Sequence, residues 1–180
     1  MSVGVPAVRE ATLDDAAAIA DIYDHYVIHS VASFECEPVG AETMAERMAG
    51  ILADGYPYLV ATLDDRVVGY SHAARFRPRE AYRYTVETTV YVAPGSVGAG
   101  VGNALYAALF ERLRVLESPP GPVHGAIATI ALPNDASVAL HEGFGFEPTG
   151  RLPEVGRKLG RWIDVGYWHR FLGEPPLPLP

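Results

Sequence analysis

Val90-Tyr91-Val92-Ala93-Pro94-Gly95-Ser96-Val97-Gly98-Ala99-Gly100-Val101-Gly102-Asn103-Ala104-Leu105 is the stretch from which the fold can be read. It opens in β-branched and aromatic residues, breaks at Pro94-Gly95 and crosses three spaced glycines, Gly98, Gly100 and Gly102. Val101, Leu105, Leu109, Leu113 and Leu116 then recur at helical spacing. A strand, a glycine turn and a helix N-terminus in succession form an arrangement suited to anions. Free backbone N–H groups and the positive end of the helix dipole converge there. A phosphate loop ending in Gly-Lys-Ser/Thr is excluded, because the chain's one lysine is Lys158. The dinucleotide fingerprint G-x-G-x-x-G fits Gly98 and Gly100 but requires its third small residue at Asn103, not Gly102. Taken alone, the loop reads equally well as an anion cradle or as a tight turn.

Working outward, Tyr84 to Val92 is rich in Thr, Val and Tyr and predicts a strand. Its period of two sets Val86, Thr88, Val90 and Val92 on one face, and Thr85, Glu87, Thr89 and Tyr91 on the other. Upstream, Thr12 with Asp14 and Asp15 caps an amphipathic helix running to about His29, and Ala41 to Ala53 predicts a second. Tyr58 to Leu63 and Val67 to Ala74 read as strands joined by a hairpin turn at Asp64-Asp65-Arg66. Downstream, Ser118-Pro119-Pro120-Gly121-Pro122 ends the glycine-loop helix. His124 to Ala131 is an apolar strand, and Pro133-Asn134-Asp135 opens a short helix to about Glu142. Phe146 to Leu152 and Trp162 to Phe171 complete the strands. The pattern predicts an α/β fold whose mixed, mostly antiparallel twisted sheet is flanked by helices on both faces. Residues 1–173 read as one domain, and residues 174–180 as a Pro-rich C-terminal tail.

Composition narrows the function. The 180 residues carry a formal net charge of −8, which disfavours nucleic acid as a partner. Arg75, Arg77, Arg79 and Arg83 nevertheless crowd four of the fourteen cations into nine residues, the pattern of a small anionic ligand or of a solvated basic loop. The single cysteine, Cys36, excludes an internal disulfide. No apolar run approaches membrane-spanning length, and Arg9 and Glu10 stand where a signal peptide would carry its apolar core. The expectation is a cytoplasmic protein with no membrane partner. His25 and His29 lie one helical turn apart without a third ligand, so no metal is expected.

As an ordered set, several segments resemble the GNAT superfamily of acyl-CoA-dependent N-acetyltransferases. They are Val90 to Gly95, Gly100-Val101-Gly102-Asn103-Ala104-Leu105-Tyr106, Asn134-Asp135-Ala136-Ser137 and Gly143-Phe144-Gly145-Phe146. Ser33-Phe34-Glu35, Tyr56-Pro57, Thr85 to Val92, Leu132-Pro133-Asn134-Asp135 and Gly160 to Val165 narrow the resemblance to its phosphinothricin and methionine sulfoximine N-acetyltransferases. The likeness covers Arg9 to Phe171 and implies a GNAT fold, acetyl-CoA as acetyl donor and a homodimer. It implies cofactor contacts from Val90, Tyr91, Val92, Gly98, Ala99, Gly100, Val101, Gly102, Asn103, Asn134 and Ser137. The superfamily's loop begins with Arg or Gln where this chain has Val97, and no Lys or Arg lies between Tyr84 and Glu111. Any diphosphate must therefore be held by main-chain N–H groups and the helix dipole, which predicts weaker cofactor binding than a cationic loop would give.

Acetyl transfer to an amine needs a base for the amine and a proton donor for the leaving thiolate. A carboxylate on so apolar a strand is partly desolvated and suited to act as base near neutral pH. The resemblance gives Glu87 that role, while the residues alone leave an ion pair with a nearby arginine equally open. Asn134, Ser137 and His141 share a helix face. The resemblance makes His141 the second catalytic residue, where many relatives carry a tyrosine. Arg77 and Arg79 point to one side if their segment is extended, as Pro78 favours. The resemblance has them clamp the acid group of an amino-acid-like substrate, with Phe34, Tyr82, Glu87, Thr88 and Thr89 around it. Two rivals stay open: an acetyltransferase for a polyamine, aminoglycoside or ordinary amino acid, and a catalytically silent acyl-CoA sensor.

Overall fold

The computed structural model describes residues 4–116 and 122–173. Its sheet has seven strands: β1 (Ala7–Glu10), β2 (Tyr58–Leu63), β3 (Arg66–Arg75), β4 (Thr85–Val92), β5 (Gly125–Leu132), β6 (Glu147–Lys158) and β7 (Arg161–Phe171). Four helices cover it, α1 (Ala16–His29), α2 (Gly40–Ala53), α3 (Val101–Arg114) and α4 (Asp135–Gly143). The spatial order is β1-β2-β3-β4-β5-β7-β6, antiparallel throughout except for the parallel pair β4–β5.

The layers follow from side-chain parity. β2 is buried from Tyr58 to Ala61. Leu59 and Ala61 face the core under α3, with Leu105, Leu109 and Leu113, whereas Tyr58 and Val60 join Ile19, Met44 and Met48 of α1 and α2. A strand buried on both faces reads as a continuous apolar run. Asp64 and Asp65 turn β2 into β3 with φ of 48° and 60°, the two positive values a tight hairpin requires. At Gly69 a Cβ would stand 2.9 Å from Val101 Cγ1, so the missing side chain lets α3 lie close on β3.

The decisive irregularity lies between β4 and β5. They pair only from Thr85 opposite Gly125 to Glu87 opposite Ile127. β5 stays paired with β7 along its whole length, while β4 from Thr88 onward keeps only β3. The sheet therefore parts at its middle, just beyond Glu87.

Several expectations are corrected. β1 was not anticipated; its four largely exposed residues carry no alternation. The first helix begins at Ala16, after a 3-10 turn at Leu13–Asp15. Asp15 is buried there, accepting from Thr12 N at 2.8 Å and from both Arg9 Nη atoms at 2.7 Å. The short helix opens where expected, at Asp135 with Asn134 as its cap. β6 runs to Lys158, not Leu152, across register shifts at Pro148/Gly150 and Leu152/Gly156 that absorb its Pro and Gly residues. The segment after β3 bends at Phe76, Pro78 and Arg79, so strand alternation does not govern Arg77 and Arg79. The Ser118–Gly121 helix terminator and the tail 174–180 lie outside the described residues.

Candidate active site

β4 delivers its two faces to the two sides of the parted sheet, as its period predicts. Val86, Val90 and Val92 pack toward α3, while Tyr91 packs toward α1. Glu87 shares the Tyr91 face and is half-buried at the last β4–β5 pair. Thr129, one pleat further along β5, donates its hydroxyl proton to Glu87 Oε1 at 2.5 Å. Among the described residues Glu87 has no ion pair, so the arginine alternative is not realised. Nothing in the sequence pairs Thr129 with Glu87; only the β4–β5 register does.

On the other face a buried polar chain runs beneath the strand. Tyr106 of α3 lies 2.8 Å through its hydroxyl from His141 Nε2 and 3.3 Å from Thr88 Oγ1. His141 Nδ1 is 2.7 Å from the Ser137 carbonyl, which can only accept, so the imidazole proton sits on Nδ1. Nε2 then accepts from Tyr106. Burial lowers the pKa of His141, outweighing the Ser137 carbonyl, and raises that of the Tyr106 phenol. The pair is a neutral imidazole beside a protonated phenol. His141 is 4% exposed and Tyr106 0%, so the pair is enclosed beneath β4 rather than lining the cleft.

The glycine loop meets α3 as expected. Gly98 and Gly100 have φ of 84° and 78°, values costly for any side chain, and a Cβ on either would meet nothing within 4 Å. Ala104 N is the first amide after Gly100 to bond back, to Gly100 O at 3.0 Å. The N–H groups of Val101, Gly102 and Asn103 stand ahead of it, at the open helix end. The loop is accessible, with Val97 61% exposed. An open, side-chain-free cradle at a helix N-terminus fits a diphosphate, and the parted edge of Val90, Tyr91 and Val92 fits an extended amide-bearing chain. Asn134 caps α4, accepting from Ser137 N at 3.2 Å, so its side chain is already engaged.

The residues expected around the acceptor divide. Thr89 lies on the Glu87 side and Thr88 beneath, toward Tyr106. Arg77 and Arg79 are exposed, and the Arg77 guanidinium stands 4.6 Å from the Phe76 ring centre. Tyr82 packs its ring against Phe76 at 5.8 Å. Arg83 is structural: it pairs with Glu80 at 2.7 Å and donates to Tyr84 Oη at 2.6 Å. Phe34 lies against β6 at Gly156, where any side chain would collide with its ring. The described residues hold no His/Cys/Asp/Glu cluster able to bind a metal, and none of their helices is long and apolar enough to cross a membrane.

Comparison with known proteins agrees with this geometry. Residues 8–166 match the Acetyltransferase (GNAT) domain family. A phosphinothricin N-acetyltransferase of Alcaligenes faecalis is 42% identical over 174 residues, 96% of this chain and 86% of its own length. An L-methionine sulfoximine/L-methionine sulfone acetyltransferase of Salmonella typhimurium is 34% identical, covering 95% of this chain and 97% of its own. The crystal structure of a phosphinothricin acetyltransferase from Sinorhizobium meliloti in complex with acetyl-CoA superposes with a TM-score of 0.91 at 36% identity, covering 98% of this chain and 94% of that one. From its parted sheet, its glycine cradle and these relatives, the chain belongs to the GNAT family of acetyltransferases.

Proposed function

We propose that this acetyltransferase moves acetyl from acetyl-CoA to the α-amine of a small anionic amino-acid analogue of the phosphinothricin, methionine sulfoximine or methionine sulfone type. The observation that carries the reading is Glu87, held by Thr129 at the point where β4 and β5 separate. The relatives' names support the substrate class, and the exposed Arg77 and Arg79 supply charge for an acid group.

When bound, acetyl-CoA supplies a thioester carbonyl open to attack by a neutral amine. The amides of Val101, Gly102 and Asn103 would hold its diphosphate, and the edge of Val90 to Val92, free of a partner strand though Tyr26 donates to the Val92 carbonyl at 2.6 Å, its extended arm. Glu87 takes the proton from the acceptor ammonium, directly or through water, while Thr129 fixes the carboxylate. Tyr106 keeps its proton and donates it in a hydrogen bond to His141 Nε2 beneath the opposite face of β4; His141 acts through this buried pair as a positioning residue. Transfer is direct, in a ternary complex. The catalytic unit is the 1–173 domain, working in the cytoplasm as a homodimer. Leu152, Val155, Leu159 and Trp162, all exposed on the β6–β7 hairpin, supply an apolar face for the second copy.

The test is release of free thiol from acetyl-CoA across amino-acid analogues and polyamines. Methionine sulfone and phosphinothricin should be acetylated and polyamines ignored. Glu87→Gln should lower kcat about 100-fold or more while the acetyl-CoA Kd stays within about threefold. Full activity in that variant removes Glu87 from the mechanism, and absence of turnover with every amine leaves the silent sensor.

A further inference from the structure

A cavity of about 650 Å³ opens between α2 and the sheet, on the face of β4 that carries Glu87. Its walls include Tyr23, Arg47, Tyr58, Tyr70, His72 and Tyr91. The size is that of a small-molecule site, and the lining is unusually aromatic. The rings are ordered against one another: Tyr58 stacks on His72 at 4.7 Å, Tyr70 on Tyr91 at 5.6 Å, and Tyr23 meets Tyr91 edge-on at 5.3 Å. His72 lines the space, yet its Nδ1 is fully enclosed and has no hydrogen-bond partner. An atom so enclosed is out of reach of anything in the cavity, so the ring can meet a ligand only through Nε2. Burial drives the His72 pKa from 6.5 to about 4, which makes it a neutral imidazole with one nitrogen left for a ligand. Arg47 adds donors at the helix side; its Nη2 is held by Glu35 at 2.8 Å, and Asp54 completes the charged groups of the lining.

The register ties this cavity to the reacting centre. Thr89 also lines it, and Thr89 is the next residue after Glu87 on the same face, about 6.6 Å along the strand. His72 stands directly across from Thr89 in the β3–β4 ladder. An amine placed at Glu87 therefore has its side chain directed past Thr89 toward His72, over roughly the span of a para-substituted phenyl ring. We propose that this cavity is a second acceptor subsite that takes flat, ring-bearing amino-acid side chains ending in a polar group, and that His72 with Arg47 selects for that group. The proposal rests on the α-amine reading above and widens its substrate class beyond small aliphatic anions.

The experiment measures kcat/KM for L-tyrosine, L-phenylalanine and methionine sulfone with the whole chain and acetyl-CoA. Tyrosine should be acetylated at least tenfold better than phenylalanine. In His72→Phe, which keeps the ring and deletes both nitrogens, that preference should fall to within about threefold, mainly through the KM for tyrosine; His72→Asn should restore part of it. Arg47→Met should lower the same preference without touching the buried stack. Turnover of methionine sulfone with none of tyrosine overturns the subsite and leaves the main reading intact. Loss of turnover with all three overturns the main reading. A tyrosine preference unchanged in both His72→Phe and Arg47→Met also overturns the subsite.

Discussion

Glu87 and Thr129 sit on neighbouring strands at the edge of a gap, and their hydrogen bond ties the acid across it. A carboxylate at the end of a strand face has freedom to swing into the opening; one accepted proton from Thr129 removes that freedom. Thr129→Val keeps the shape and deletes the donor. A hydrogen bond to a charged group is worth about 1.5–3 kcal/mol, so kcat should fall roughly tenfold or more with the acetyl-CoA Kd unchanged. Thr129→Ser should recover most of the rate, and steady-state kinetics beside calorimetric titration separate the two effects. That Glu87 belongs to the Tyr91 face is legible from a period of two. That Thr129 meets it is not, because partners 42 residues apart are chosen by the β4–β5 register.

The element that most distinguishes this chain is the turn into α3. Its glycines have the backbone angles of an anion cradle, but Val97 stands exposed where a cation would add to the dipole. An arginine there would lie in solvent and be screened, so its gain is modest. Val97→Arg should tighten acetyl-CoA binding by a few-fold, about 1 kcal/mol, and more at low salt than at high. An unchanged or weaker dissociation constant by calorimetry would move the diphosphate away from this loop. The β6–β7 hairpin teaches the opposite lesson about legibility. Pro148, Gly150, Pro153 and Gly156 break the strand signal in sequence, yet β7 holds β6 in register to Lys158 by bulging past them. Pairing with a regular neighbour overrides local propensity.

For the molecule as a whole, imidazoles whose pKa values the fold lowers weaken it as pH falls below neutral. Unfolded, His72 takes up a proton near 6.5; folded, it does so only near 4. Between those values the unfolded state binds more protons, so stability falls as pH drops through the window, by up to about 3 kcal/mol from this residue. The lowered His141 acts in the same direction. Urea midpoints taken between pH 7.5 and 4.5 should decline for the native chain and decline less steeply for His72→Phe. Equal slopes would show that His72 is not enclosed in solution.

Patterning along the chain was enough to determine the alternation of helices and strands, the glycine turn ahead of α3 and the face on which Glu87 lies. These follow from local periodicity and backbone sterics, which need no distant partner. Only the tertiary structure decided that β4 and β5 part after Glu87, that Thr129 reaches back across the opening, and that His141 is buried against Tyr106 beneath β4. Each of these is a contact between segments far apart in sequence, and such contacts are selected by how layers pack rather than by what any one segment prefers.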